Sequence, residues 1–415
     1  MKNYPGISYL FFFLLAIQIK TYADKIVVDK NTSVSSITKA IELAKPYDEI
    51  IIKSGYYKEG NIIITKPLKF TGEGNPVIDG ENQNEIFTVH ADDVSITGIT
   101  FKNAGVSYLK ENAAVRFENV KNGIVSDCKF YGNFFGVYLA KSKNCKVLNN
   151  NFEAYGERET SSGNGIHLWY CRDSEITGNK IKGHRDGIYL EFVKQTTISK
   201  NYTSHNLRYG LHFMFSDSCN YYTNHFEKNS AGVAVMYSRY VDMEGNMFNN
   251  NWGPASYGLL LKDISRSRIE KNYFVENTTG IFIEGCDGSE FLYNEFEKNG
   301  WAVKLMANSM DNIFSSNNFV ANTFDLSTNS RQNFSKFDSN YWSKYDGYDL
   351  DKDGIGDVPY RPVKLYSIMA QQNEPSLILL NSLFIELLNI AESVFPSLTP
   401  EALVDKSPLM RKLNW

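Results

Sequence analysis

A recurrence of about 22 residues through the middle of the chain limits its fold more than any other feature. The unit reads Asn-x-aromatic, a short polar stretch, then Gly-apolar-x-apolar. Its glycines are Gly136, Gly165, Gly187, Gly210, Gly232, Gly258 and Gly280, with Ala302 closing the series. Successive gaps are 29, 22, 23, 22, 26, 22 and 22 residues. Asn179, Asn201, Asn224, Asn246, Asn272, Asn294 and Asn317 keep nearly the same step, and most positions two further on are apolar, with Thr203 departing. Repeats of this length specify stacked units, each too small to bury its own apolar face. Alternating strands with no helical stretch between them suit a parallel β-helix. The repeated Asn is expected to stack as an inward amide ladder, and the Gly to sit where the backbone bends without a Cβ. A β-propeller needs blades of about 40–50 residues and does not fit.

The N-terminal third fits the same plan. Val34, Ile37, Ala40, Ile41 and Ala44 have helical spacing within Ser33 to Lys45, and would cap the open end of a solenoid. Short strands and turns follow as far as Ile78-Asp79-Gly80, a run that resembles the opening of carbohydrate-binding and sugar-hydrolase β-helices. The expected fold is all-β: a right-handed parallel β-helix over 24–338, an Asp/Gly-rich capping region over 339–365 and a helical tail over 366–415.

Composition narrows the function. With 43 basic and 47 acidic side chains the chain is too near neutral to be held to nucleic acid by charge, and at 42% hydrophobic it is too apolar for disorder. Lys2, the apolar run Ile7 to Ile17 and the small residues Thr21 and Ala23 have the layout of a secretory signal peptide over 1–23, too short to span a bilayer. The mature chain is therefore expected outside the cytoplasm. Its 5 cysteines lie in columns too far apart to pair, so free buried thiols are expected.

Numbering each Gly as zero, +1 and +3 are apolar and face the core, so +2 and +4 face out. The +2 column includes Tyr138, His167, Tyr189 and His212; the +4 column includes Trp169, Glu191, Met214, Met236 and Met306. Adjacent coils stand about 4.7–4.9 Å apart. His212, Met214 and Met236 can thus converge on one soft ion, with His167 assisting; imidazole plus thioether suits Cu(I). A hydrophobic interaction surface or sugar-stacking platform is the plainer reading of the same columns. Met243 falls in an inward column, whereas His225 and Met247 face outward in neighbouring coils and form a second, weaker pair. For polysaccharide catalysis, His184, Arg185, Asp186 and Glu191 are available, but Glu191 has no neighbouring carboxylate in its column, and Asp-Pro-His-Asp is absent from the chain. No catalytic constellation results.

Beyond the repeats, Asp349, Asp351, Asp353 and Asp357, with Gly354, follow the first nine positions of a calcium loop. Tyr360 stands where an EF-hand has its bidentate Glu, so the alternatives are a simpler calcium loop or a metal-free turn. From Leu377 to Phe395, the residues Asn381, Ser382, Glu386, Asn389, Glu392 and Ser393 gather on one stripe of an amphipathic helix that Pro396 ends. Docking on a partner, or covering the last coil, would each explain it; Pro400-Glu401 is expected to restart a short helix.

The repeats, Gly210 to Phe215 (Gly-Leu-His-Phe-Met-Phe), Gly232 to Tyr237 (Gly-Val-Ala-Val-Met-Tyr) and the Asp/Gly loop together resemble the NosD family of periplasmic copper-processing proteins, which serve nitrous oxide reductase maturation. The resemblance implies a non-enzymatic protein that handles copper with an ABC-type ATPase and its membrane permease. It also implies receipt of copper from a small lipoprotein chaperone and delivery to the reductase apoprotein. It supplies no ligand set; the His/Met assignment rests on the columns. The competing expectation is a periplasmic polysaccharide-binding or polysaccharide-processing β-helix.

Overall fold

The computed structural model describes residues 23–107, 110–330, 333–395 and 403–415. Residues 1–22 of the expected signal peptide (1–23), Pro396 and Pro400-Glu401 lie outside the described residues. The chain forms a parallel β-solenoid whose coils each feed one strand to three sheets, here called A, B and C, of 14, 13 and 12 strands. One coil runs Asn220–Tyr222 in sheet A, His225–Glu227 in sheet B and Ala231–Met236 in sheet C. Every sheet pairing between named strands is parallel and links successive coils, so equivalent repeat positions stand directly above one another.

The apolar column two residues after the Asn becomes a stack of rings. Phe248 lies on Phe274 at 4.6 Å, Phe274 on Phe296 at 4.9 Å, and Phe296 on Phe319 at 4.8 Å, all within 9° of parallel. Beside it runs the amide ladder. Asn179 Oδ1 accepts from both the backbone N and Nδ2 of Asn150, while Asn179 Nδ2 donates to Asn201 Oδ1 at 3.0 Å and to Val147 O at 2.9 Å. Each buried amide thereby satisfies its neighbour, which a buried polar column requires.

The glycine column differs from expectation. These glycines do not make the turns; they lie within sheet C strands at ordinary φ. A Cβ on Gly187 would come within 2.5 Å of Gly210 O, and one on Gly232 within 2.4 Å of Gly258 O. Close approach of the next coil's carbonyl is what excludes a side chain.

Helix α1 (Ile37–Leu43) covers the N-terminal end, burying Ile37, Ala40 and Ile41. At the other end, α2 (Leu365–Gln372) and α3 (Leu383–Val394) lie on the outside of sheet C, where Tyr366, Ala370 and Ile385 pack on Trp301 and Phe324. Leu377 to Phe395 is not one helix: a 3-10 turn (Glu374–Leu379) precedes α3, and Asn381, at φ 67°, breaks the path between them. The chain then returns. Residues 403–415 contain no helix, and Asp405 and Leu409 pair with Phe337, Tyr341, Ile355 and Tyr360 across the last coil. Among the described residues no helix is long and apolar enough to cross a membrane.

Candidate metal-binding face

Sheet C presents two outward columns. Register pairs Tyr138 with His167, His167 with Tyr189 and Tyr189 with His212 in the +2 column, and Met214 with Met236 in the +4 column. The sequence assignment of these columns to the outer face holds, but their exposure does not. His167 and His212 are only 4% and 5% exposed. The rings seal one another: Tyr138, His167, Tyr189 and His212 follow at 4.5, 4.7 and 4.8 Å, with Phe135 closing on His167 and Tyr209 on His212. Met214 and Met236 remain half-buried.

Around His212 lies a charged network that sequence reasoning noted only as a possible acid. Asp186 is fully buried, and its carboxylate accepts from Arg208 Nε at 2.9 Å and Nη2 at 2.5 Å. Burial alone would raise its pKa; the Arg208 hydrogen bonds and the nearby His212 outweigh that and bring it down to about 2. His212 Nδ1 stands 3.5 Å from Asp186 Oδ2, at the outer edge of hydrogen bonding. Both His212 ring nitrogens lack a hydrogen-bond partner, as does Nε2 of His167. Asn164 approaches the other nitrogen of His167 at 3.2 Å. Burial and the neighbouring Arg185 hold His167 down to about 3, so it is a neutral base at physiological pH.

The structure brings Met214 and Met236 together and puts His212 on the Met214 strand, two residues away. His167 is set apart, because Tyr189 lies between it and His212. Met306, lower in the +4 column, is covered by the tail, where Gln371 Nε2 meets its sulfur at 3.7 Å. The cysteines do not compete as ligands: all five are buried and unpaired. Desolvation pushes Cys145 up to about 11 and the other four to about 12, whereas metal binding needs the thiolate.

The sequence also places an aromatic residue one position beyond the +4 column in four successive coils. The +5 position is occupied by Tyr170, Phe192, Phe215 and Tyr237, whose rings stack at 4.6, 5.2 and 4.9 Å. All four sit at φ between 51° and 54°, where Asp263 and Gly285 of later coils are more at ease. Three are more than two-fifths exposed. This aromatic edge borders the methionine pair.

At the solenoid's far end, carboxylate oxygens of Asp349, Asp351 and Asp353 lie within 4.8 Å of one another. Asp357 is not in that group; its carboxylate accepts from Leu350 N at 2.8 Å and closes the loop. Tyr360 is buried against Trp342 and offers no ligand.

Helix α3 packs Ile385 and part of Leu388 against the solenoid and leaves its other large apolar side chains uncovered. Asn381, Ser382, Glu386, Asn389 and Glu392 line a cavity of about 1070 Å³ against the solenoid end, and Glu392 accepts from Leu365 N at 3.2 Å. Leu383, Phe384, Leu387 and Val394 point to solvent, between 49% and 70% exposed. Exposed apolar patches of this kind mark interaction surfaces.

Fold and site together define a parallel β-solenoid with imidazole and thioether groups on one outer sheet and an apolar helix beside it. A family model described as "Periplasmic copper-binding protein (NosD)" matches residues 31–157 and 153–347. The chain belongs to the NosD family. It is 30% identical to the "Probable ABC transporter binding protein NosD" of Pseudomonas aeruginosa, over 85% of this chain and 86% of that one. The protein of the same description from Stutzerimonas stutzeri is 28% identical over 87% and 86%. Among solved structures, the chain resembles the Dettilon tailspike protein (TM-score 0.59, 13% identity, 74% and 69% covered). It also resembles a Yersinia enterocolitica family 28 exopolygalacturonase (TM-score 0.57, 10% identity, 77% and 78% covered). At those identities the likeness is one of fold alone.

Proposed function

We propose that this chain is a non-catalytic periplasmic copper carrier that binds Cu(I) through His212, Met214 and Met236 and works on an ABC transporter. The observation that carries the reading is the convergence on one face: two register-paired thioethers, and an imidazole whose buried Nε2 has no partner. Such a donor set suits a soft monovalent ion. Asp186 stands behind His212 as carboxylates do behind metal-bound histidines, orienting the ring. His167, one ring further along, is a supporting position in the same column. Calcium at Asp349, Asp351 and Asp353 is a separate, structural proposal, suited to a hard ion and oxygen ligands.

Family membership and the relatives' description as ABC transporter binding proteins support a transporter with an ATPase and a membrane permease as partner. The exposed apolar face of α3 supplies a docking surface on the side of the solenoid that carries the methionines. In this reading, copper arrives from a small lipoprotein chaperone and leaves for the nitrous oxide reductase apoprotein. A pull-down from membranes tests it. The wild-type chain should recover the transporter subunits together with copper, and Leu383→Glu with Leu387→Glu should lose the transporter subunits while keeping the fold and the copper. Equal recovery by that variant, or a complex without copper, would sink the reading.

A further inference from the structure

Outside the face just described, one outward position holds an imidazole beside a thioether. His225 and Met247 are register partners in the adjoining sheet B strands His225–Glu227 and Met247–Asn249, so their Cα atoms face each other across one coil step. Both side chains are half-buried and point out of the solenoid, because Phe226 and Phe248 between them and their strand ends point in. His225 Nε2 is a buried atom without any hydrogen-bond partner.

The surroundings explain why no partner is supplied. On the coil before, Tyr202 meets the His225 ring edge-on at 5.1 Å and 83°. Its hydroxyl is already engaged with Glu227 Oε2, so it does not serve the imidazole. On the coil after Met247 stands Tyr273. The pair is thus enclosed along the solenoid axis by two tyrosines and open outward. A buried imidazole nitrogen left unpaired is costly, and an arriving ligand recovers that loss.

We propose that His225 and Met247 form a second soft-ion site on sheet B, taking Cu(I) between the imidazole nitrogen and the thioether sulfur. One neutral nitrogen and one thioether disfavour calcium, magnesium and other oxygen-seeking ions. A closed-shell monovalent ion needs no further protein ligand, since two donors in line satisfy it. The site rests on the copper reading for the identity of its natural ion, but not on the sheet C ligands. His225 lies in the same coil as Met236 and Met247 in the next, which gives the protein two ions at nearly one height on two faces.

Silver(I), the redox-inert analogue of Cu(I), is the probe, titrated into full-length protein with ¹⁵N-labelled histidine. The imidazole resonances of the 6 histidines are followed individually. His225 Nε2 should shift and saturate, and Met247→Leu should weaken that response at least tenfold without moving the other histidines. The shift should persist in a His212→Ala, Met214→Leu, Met236→Leu variant. An immobile His225 resonance, or an unchanged titration in Met247→Leu, would overturn the proposal. An immobile His212 with a responding His225 would instead count against the sheet C ligands alone, so the two failures are separable.

Discussion

His184 occupies a column of the solenoid made for asparagine. A second amide ladder runs through Asn206, Asn229, Asn251, Asn277, Asn299 and Asn322: Nδ2 of Asn206, Asn251, Asn277 and Asn299 donates to the next Oδ1 between 2.9 and 3.1 Å, whereas Asn229 reaches Asn251 Oδ1 through its backbone N at 3.0 Å and turns its Nδ2 to Thr203 O. His184 begins the column: its backbone N donates to Asn206 Oδ1 at 3.1 Å, but neither ring nitrogen has a partner. Burial holds its pKa down to about 4. The unfolded chain takes up the proton near pH 6.5 and the folded chain only near 4, so stability is complete above about 6.5 and falls as pH drops towards 4. His184→Asn should therefore narrow the difference in urea midpoint between pH 7.5 and pH 5, and add about 1 kcal/mol at pH 7.5 through a new ladder bond. An unaltered pH difference would contradict this. The second ladder was present in the sequence, since each member lies five residues after one of the first, but a search anchored on the aromatic beside the first Asn passes over it. The outward direction of His212 and Met214 was legible from period-two alternation. Their burial was not, because alternation says which way a side chain points and nothing about which rings close over it.

At the scale of elements, the solenoid's open ends decide whether the stack survives. The first ladder does not simply stop at Asn340. Asp405, from the returning C-terminal segment, is fully buried, and its Oδ2 accepts from Asn340 N at 3.0 Å, Asn340 Nδ2 at 3.1 Å and Trp342 Nε1 at 2.9 Å. Asp405→Ala would leave Asn340 N and Trp342 Nε1 without an acceptor, while Asn340 Nδ2 keeps Phe314 O, a loss of roughly 2–4 kcal/mol, whereas Asp405→Asn keeps an acceptor and should cost about 1 kcal/mol. Thermal unfolding of both variants checks the order; equal losses would contradict the cap. The tail helix was legible from its amphipathic stripe, but a sequence shows two faces without saying which one the solenoid takes. Here Ile385 and Glu392 turn inward, the latter with Lys364 3.7 Å away, and Leu383, Phe384 and Leu387 are left outside.

Over the whole molecule, one side of the solenoid gathers what the three-sheet cross-section would otherwise scatter. The methionine pair, the aromatic edge of Tyr170 to Tyr237, the Asp186–Arg208–His212 network and the tail helices all belong to sheet C. The Met236 strand and the Trp301–Leu305 strand, on which the tail packs, are three coil steps apart. At β spacing that is about 14 Å. A partner seated on the exposed leucines of α3 therefore lies within reach of an ion held by Met214 and Met236, and this nearness is what joins copper binding to transporter docking in one account. The claim beneath it is that sheet C holds the ion. Competition titration of Cu(I) against a chromogenic chelator measures that directly, using the wild type and the His212→Ala, Met214→Leu, Met236→Leu variant. The account predicts at least a hundredfold weaker Cu(I) binding at the sheet C site with an unchanged unfolding temperature. An unchanged affinity and stoichiometry in the variant would contradict it.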